Sequence, residues 1–279
     1  MSILSAAFDA LRGKRAPLLH VAVDEGSGPA VVMIHGIASS SASFHFVLPL
    51  IEPGHRLIAI DILGFGESPR PPDAEYTLEE HVDAIAATIH SLKLREPFTL
   101  VGHSLGCLIS SRFAATHPSA VSHLVLISPP VYLSPTEIGD PRLRNYVAGY
   151  LTAYNFLRKN KDFTIGNASI VSRMVPIAHV FEITEQNWLP FVKSMEHCIE
   201  SQTVISDLAR VDVPIDIVYG RLDEFIAPGS MAIIARMRGV TMHVVDVSDH
   251  VIRKPLARAA ASTINRSPTI ERHNDESDQ

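Results

Sequence analysis

Six short apolar runs rich in Val, Ile and Leu constrain this chain more than any other feature. Each of them stops at a small or polar residue. Val31-Val32-Met33-Ile34 ends at His35-Gly36, Leu57-Ile58-Ala59-Ile60 at Asp61, and Phe98-Thr99-Leu100-Val101 at Gly102. Leu124-Val125-Leu126-Ile127 ends at Ser128, Ile215 to Tyr219 at Gly220, and Met242 to Val247 at Ser248. Runs with little alternation have both faces buried, and helical patterns over Leu78–Leu92, Leu105–Thr116, Ser230–Met237 and Leu256–Ile264 fill the gaps. The spacing predicts an α/β chain with a mostly parallel, doubly wound sheet, entered by an antiparallel strand over His20–Val23.

The alternation breaks between Pro130 and Val213, where no clear β run occurs. Tyr146, Tyr150 and Tyr154 recur there every four residues, with Leu157 near the same face. A structureless loop of that length does not suit a compact domain, so an inserted helical unit over residues 131–205 is expected. The core is then discontinuous, 1–130 and 206–267, and the polar stretch 268–279 reads as a disordered tail. Ile3, Leu4, Ala7, Phe8 and Leu11 fit an amphipathic N-terminal helix; the positive charges follow the apolar stretch, unlike a secretory signal.

Composition closes several functional classes. With 24 Lys+Arg against 30 Asp+Glu, the formal charge is −6, the wrong sign for a nucleic-acid binder. No apolar run reaches the ~18–20 residues of a membrane span, so no stable membrane insertion is expected. Cys107 and Cys198 are too few for a disulfide framework, which points to a reducing, cytoplasmic location. No zinc-type spacing and no glycine-rich phosphate loop occurs, so neither metal nor cofactor is expected. Oligomeric state stays open.

Chemistry enters with Gly102-His103-Ser104-Leu105-Gly106, which follows an apolar run and opens a helical one. A strand–turn–helix of this kind lifts a hydroxyl above a sheet and sets it at a helix N-terminus. The bland alternative is a serine that merely caps a helix. A nucleophilic serine needs a base and an orienting acid, and in parallel sheets both belong past the carboxyl ends of strands. His250, just past the last run, meets that rule, whereas His243 falls at the start of the same run. Asp223 in Gly220-Arg221-Leu222-Asp223 meets it too, with Glu224 as its nearest competitor. The backbone N–H groups of Leu105 and Ile37 are the expected oxyanion donors. His35 reads as a structural residue of the Ile37 loop, and Cys107 as a small buried one.

Taken in order, His35-Gly36, Asp61-Ile62-Leu63-Gly64-Phe65-Gly66-Glu67-Ser68, Gly102 to Gly106, Gly220 to Asp223 and Asp249-His250 resemble the landmarks of the α/β-hydrolase fold superfamily. The resemblance implies a sheet of about eight strands, with the helical insertion as a cap over the active site. Ser104 stands where epoxide hydrolases and haloalkane dehalogenases of this fold carry an aspartate. The expectation is therefore a serine hydrolase that cleaves a carboxylic ester of a lipophilic or aromatic small molecule through an acyl-enzyme. A C–C bond hydrolase, or a ligand receptor with slow or no turnover, is the alternative on the same fold. Phe44, Tyr146, Tyr150 and Trp188 are the expected pocket residues.

Overall fold

The structure is a computed structural model and describes residues 16–131, 141–166, 183–201, 203–223, 225–226 and 230–266. Seven strands form one sheet: β1 Val21–Gly26, β2 Ala30–Ile34, β3 Arg56–Ile60, β4 Phe98–His103, β5 Val121–Ile127, β6 Ile215–Gly220 and β7 Val240–Val245. Their order is β1-β3-β2-β4-β5-β6-β7. β1 runs antiparallel to β3, and all other pairs are parallel. Among the described residues the count is the one read from the apolar runs, against the about eight implied by the resemblance. β7 begins two residues earlier than its apolar run, and Val247 lies beyond it with 81% of its surface exposed.

Core residues divide between the two faces of the sheet. Val32, Ile34, Ile58, Leu100, Leu124 and Ile217 look toward one face. The alternate positions Val31, Met33, Val101, Val125, Ile127 and Val218 look toward the other. Helices α1 (Leu78–Ser91) and α2 (Leu105–Thr116) cover the first face. Thr77 and Glu80 start α1 with a reciprocal capping box, and Leu78, Val82, Ile85 and Ile89 supply its buried stripe. The C-terminal helix Lys254–Asn265 covers the second face through Leu256, Ala257, Ala260, Ala261 and Ile264.

Between β5 and β6 the described elements are helical: α3 (Pro141–Lys159), α4 (Lys161–Gly166), α5 (Trp188–Ser194), a π-helical turn Met195–Ile199, and α6 (Val204–Leu208). Phe191, Met195, Cys198 and Ile199 join the first-face core. His81 Nε2 on α1 lies 3.1 Å from Ser194 Oγ, and Lys193 donates to the Ala74 carbonyl at 3.0 Å, so this stretch is clamped to α1 and the turn before it. α7 (Ser230–Ile234) and α8, the Lys254–Asn265 helix, complete the order. The N-terminal helix and the tail expected from the sequence lie outside the described residues.

The loops after β2 and β3 meet on one carboxylate. Asp61 Oδ1 accepts from Ser41 N at 2.8 Å and Ser41 Oγ at 2.7 Å. Its Oδ2 accepts from Glu67 N at 3.0 Å and sits 3.0 Å from His20 Nδ1. Burial pushes Asp61 up, but these donors outweigh it and hold the carboxyl below its ordinary value. His35 is fully buried beside it: Nδ1–H donates to the Gly36 carbonyl at 2.8 Å, and Nε2 accepts from Ile62 N at 3.0 Å. Removing the carboxylate in Asp61→Ala strands the buried N–H and hydroxyl of Ser41, each worth about 1–3 kcal/mol, and frees the half-buried Glu67 N–H. We expect a loss of about 3 kcal/mol, read from urea unfolding; a loss below about 0.5 kcal/mol would show that water replaces the carboxylate without cost.

His35 and His81 also make stability depend on pH. Burial lowers His35 from 6.5 to about 4, against the pull of Asp61, and lowers His81 to about 3. In the unfolded chain both take up protons as pH drops below about 6.5, whereas the folded state refuses them. Their contribution is therefore complete above pH 6.5 and drains as pH falls, by about 1.4 kcal/mol per unit for each group. Urea midpoints at pH 7, 6 and 5 should fall in step, with about 2 kcal/mol lost per histidine by pH 5. Equal midpoints at pH 7 and 5 would contradict neutral burial of these rings.

Candidate active site

β2 and β4 are neighbours, yet the chain leaves them toward opposite faces: short turns lead from β2 to β3, and α2 leads from β4 to β5. Such a switch point opens a crevice at the carboxyl ends of the two strands. Gly36 follows β2 and Ser104 follows β4, and they touch. A Cβ built on Gly36 would lie 2.8 Å from Ser104 Cβ, so only glycine lets the Ile37 loop come this close.

Ser104 itself adopts φ 52° and ψ −121°, a conformation that costs a non-glycine residue about 1–3 kcal/mol. Hydrogen bonds hold it there: Ser104 N donates to the Ile127 carbonyl at 3.1 Å, and Cys107 N to the Ser104 carbonyl at 2.8 Å. Gly106 packs so tightly on β2 that a Cβ would sit 2.1 Å from the Ile34 carbonyl oxygen. Ser104 occupies the N-cap position of α2, but its side chain makes no capping bond. The hydroxyl turns instead to His250, with Oγ 2.9 Å from Nε2.

His250 Nδ1 is 3.0 Å from both Oδ1 and Oδ2 of Asp223. A carboxylate only accepts, so Nδ1 carries the proton and Nε2 is left to accept the serine O–H. Burial pushes Asp223 up, but the imidazole beside it, its hydrogen bond and the Phe225 N–H outweigh that and keep it ionised below its usual value. Ser104, Asp223 and His250 are each less than 9% exposed, so the hydrogen-bonded chain of three lies largely out of water. Main-chain bonds between the ends of β6 and β7 bring the acid and the imidazole together: Arg221 N donates to the Val245 carbonyl at 2.9 Å, and Leu222 N to the Ser248 carbonyl at 3.0 Å.

The other expected residues are placed as follows. The N–H groups of Ile37 and Leu105 have no acceptor among the described residues. Cys107 is buried, its Sγ 3.2 Å from the Gly102 and Ile127 carbonyls. Asp249 pairs with Arg253 rather than with the His250 ring. Phe44, expected in the pocket, is fully buried in the second-face core; a tight turn Ser41–Phe44 leads into Val47, and the two side chains point together toward the sheet. Its neighbour Phe46 lines a groove beside the site instead. Trp188 is half-buried and packs against Phe191, ring centroids 5.9 Å apart. Glu224 and the side chains of Tyr146 and Tyr150 lie outside the described residues.

Two residues of the site escaped the sequence reading. His103 Nε2–H donates to the His250 carbonyl at 3.0 Å, fixing the main chain of the histidine. Phe225 places its ring 4.6 Å from the imidazole, and its N–H donates to Asp223 Oδ1 at 3.0 Å. The position of His103 inside the serine motif was the available signal for the first. Nothing local marked the second.

Comparison with known proteins shows the fold family. A family model described as the alpha/beta hydrolase fold matches residues 29–173, just over half of the chain. The chain is 42% identical over 122 residues to probable lysophospholipase BODYGUARD 3 of Arabidopsis thaliana, covering 42% of this chain and 24% of the plant protein. It is 38% identical over 107 residues to the 2-hydroxymuconate semialdehyde hydrolase of Pseudomonas sp., covering 37% of this chain and 38% of that enzyme. These matches span a quarter to two fifths of the relatives' length. Among solved structures, a haloalkane dehalogenase loop variant from Bradyrhizobium elkanii superposes with a TM-score of 0.68 at 19% identity, over 88% of this chain and 95% of the other. The chain belongs to the α/β-hydrolase fold family.

Proposed function

We propose that the protein is a serine hydrolase of carboxylesterase type, acting on a carboxylic ester with a lipophilic or aromatic group. The observation that carries this reading is the continuous hydrogen-bonded chain from Ser104 Oγ through His250 to Asp223, formed by a serine whose hydroxyl does no capping. As Oγ attacks the ester carbonyl, His250 Nε2 takes its proton, and Asp223 stabilises the imidazolium. The unpaired N–H groups of Ile37 and Leu105 receive the developing oxyanion. His250 then returns the proton to the leaving alcohol, and a water repeats the sequence to release the acid. The relatives named as probable lysophospholipases support a lipophilic acyl group, as do the many aromatic residues of segment 131–205, our proposed cap. Two free cysteines suit the reducing cytoplasm we propose as its location. Among the described residues no helix is long and apolar enough to cross a membrane.

The relative named as a semialdehyde hydrolase favours a second reading, cleavage of a C–C bond by the same three side chains. Fluorophosphonate labelling together with multiple turnover of a short-chain nitrophenyl ester would support the esterase. Labelling with no turnover would instead support a receptor, and turnover of a vinylogous diketone acid in preference to esters a C–C hydrolase.

Ser104→Ala should abolish labelling and lower kcat by at least about 10⁴-fold, with folding intact by circular dichroism. Asp223→Asn should cost on the order of 10³–10⁴ in kcat, whereas Glu224→Gln should stay within about tenfold. If the glutamate variant is the crippled one, Asp223 is not the acid.

A further inference from the structure

Ser128 follows β5 as Ser104 follows β4, and both serines hold the same left-handed φ of 52°. That region is costly for any residue with a Cβ, and strain of this kind gathers where a side chain has to be aimed. The proposed mechanism uses the strain at Ser104 and makes no use of Ser128. Neighbouring strands nevertheless hold Ser128 firmly. Its N–H donates to the Val218 carbonyl of β6 at 2.9 Å, and the carbonyl just before it, that of Ile127, accepts from Ser104 N at 3.1 Å. Ile127 and Val218 are register partners. Ser128 therefore stands between the turn that carries the nucleophile and the strand that leads to Asp223.

The side chain has one evident destination. Ser128 is wholly enclosed, and its Oγ closes no hydrogen bond of ordinary length. An O–H buried in that state is costly, so an acceptor beside it will be used. Asp223 is that neighbour. Burial raises its carboxyl, while the His250 imidazole, the Ser128 hydroxyl and the Phe225 N–H together draw it below its ordinary value. The carboxylate also has capacity to spare, since its two oxygens offer about four lone-pair sites. Phe225 N donates to Oδ1 at 3.0 Å, and the single His250 Nδ1 proton is shared at 3.0 Å from each oxygen. Among the described residues Oδ2 has no other donor. The last torsion of an aspartate is a broad one, so donors on one oxygen leave the plane of the carboxylate loosely set.

We propose that Ser128 is a positioning residue of the hydrolase: its O–H donates to Asp223 Oδ2 and fixes the plane of the carboxylate against the His250 ring. A small rotation of the hydroxyl satisfies the orphaned donor and the spare acceptor at once. The strain at position 128 is then the cost of aiming a hydroxyl at the acid. The catalytic consequence rests on the serine-hydrolase reading, whereas the hydrogen bond does not.

Two measurements test these parts separately. The first needs no turnover. A crystal structure of the native protein should place Ser128 Oγ about 2.5–3.0 Å from Asp223 Oδ2. An Oγ turned to any other acceptor overturns the assignment. The second compares Ser128→Gly with Ser128→Ala on a short-chain nitrophenyl ester. Both remove the hydroxyl, but only glycine relieves the left-handed backbone. In both variants kcat should fall about tenfold with KM within about twofold, because the hydroxyl acts on charge that forms during reaction. Ser110→Ala, which removes a buried and unpartnered hydroxyl of α2, should leave both constants as they were. A native kcat in Ser128→Gly would show that position 128 serves the backbone alone, and the proposal would fall. If the variants do not fold by circular dichroism, the contact in the native crystal decides. If that contact is present but the native protein neither labels with fluorophosphonate nor turns over ester, the hydrogen bond stands and the hydrolase reading falls.

Discussion

Everything in the crevice depends on a close approach of two backbones that carry no side chain at the point of contact. The Ile37 loop lies against Ser104 because Gly36 has no Cβ, and α2 lies against β2 because Gly106 has none. With those contacts closed, the serine is forced to φ 52°, and strain on the order of 1–3 kcal/mol is stored where the hydroxyl must stand clear of the helix. The surroundings hold it through the bond from Ser104 N to the β5 end and the Cys107 contacts below. Neighbouring strands and a helix thus convert local strain into a fixed direction for one O–H bond.

The frame around this contact was open to sequence reading wherever burial on both faces leaves only apolar residues. β2 and β6 fall within one residue of their apolar runs, whereas β4 continues two residues past its run and β5 starts three residues before its own. β7 is an edge strand with no fully buried residue, so hydrophobicity alone misplaces it: Val247 is apolar, yet it lies beyond the strand in solvent. The shift puts His243 inside β7 rather than at its start, where its Nε2 meets Asp216 Oδ1 at 2.5 Å. Asp216 also meets His123 Nε2 at 2.7 Å, so a His–Asp–His ladder crosses β5, β6 and β7. That ladder explains why a histidine and an aspartate of otherwise suitable type take no part in the crevice.

The serine, acid and histidine positions were legible for a topological reason: each follows a parallel strand, and parallel strands deliver their loops to one edge. The side chains between those landmarks were not. Phe44 and Phe46 are two residues apart in a turn of about three residues per revolution, which sends one into the core and the other to the groove. No hydropathy pattern separates two phenylalanines in so short a turn. Phe225 was equally hidden, since its contacts with Asp223 and His250 come from a loop closed by long-range main-chain bonds.

Electrostatics makes the last selection among the buried histidines. His35, His81 and His103 are all enclosed, and burial holds them at about 4, 3 and 3, well below their ordinary value. Each has carbonyl, hydroxyl or N–H partners, and these suit a neutral ring. His250 alone has a carboxylate squarely at Nδ1 and a hydroxyl at Nε2. Its ring lies 5.3 Å from that of His103, so a second imidazolium there would oppose the charge that the proposed mechanism places on His250. Burial of His103 removes that opposition in advance. The neutral histidine steadies the His250 main chain through a carbonyl, and an imidazolium at His250 would have the Asp223 carboxylate against its Nδ1 as counter-ion.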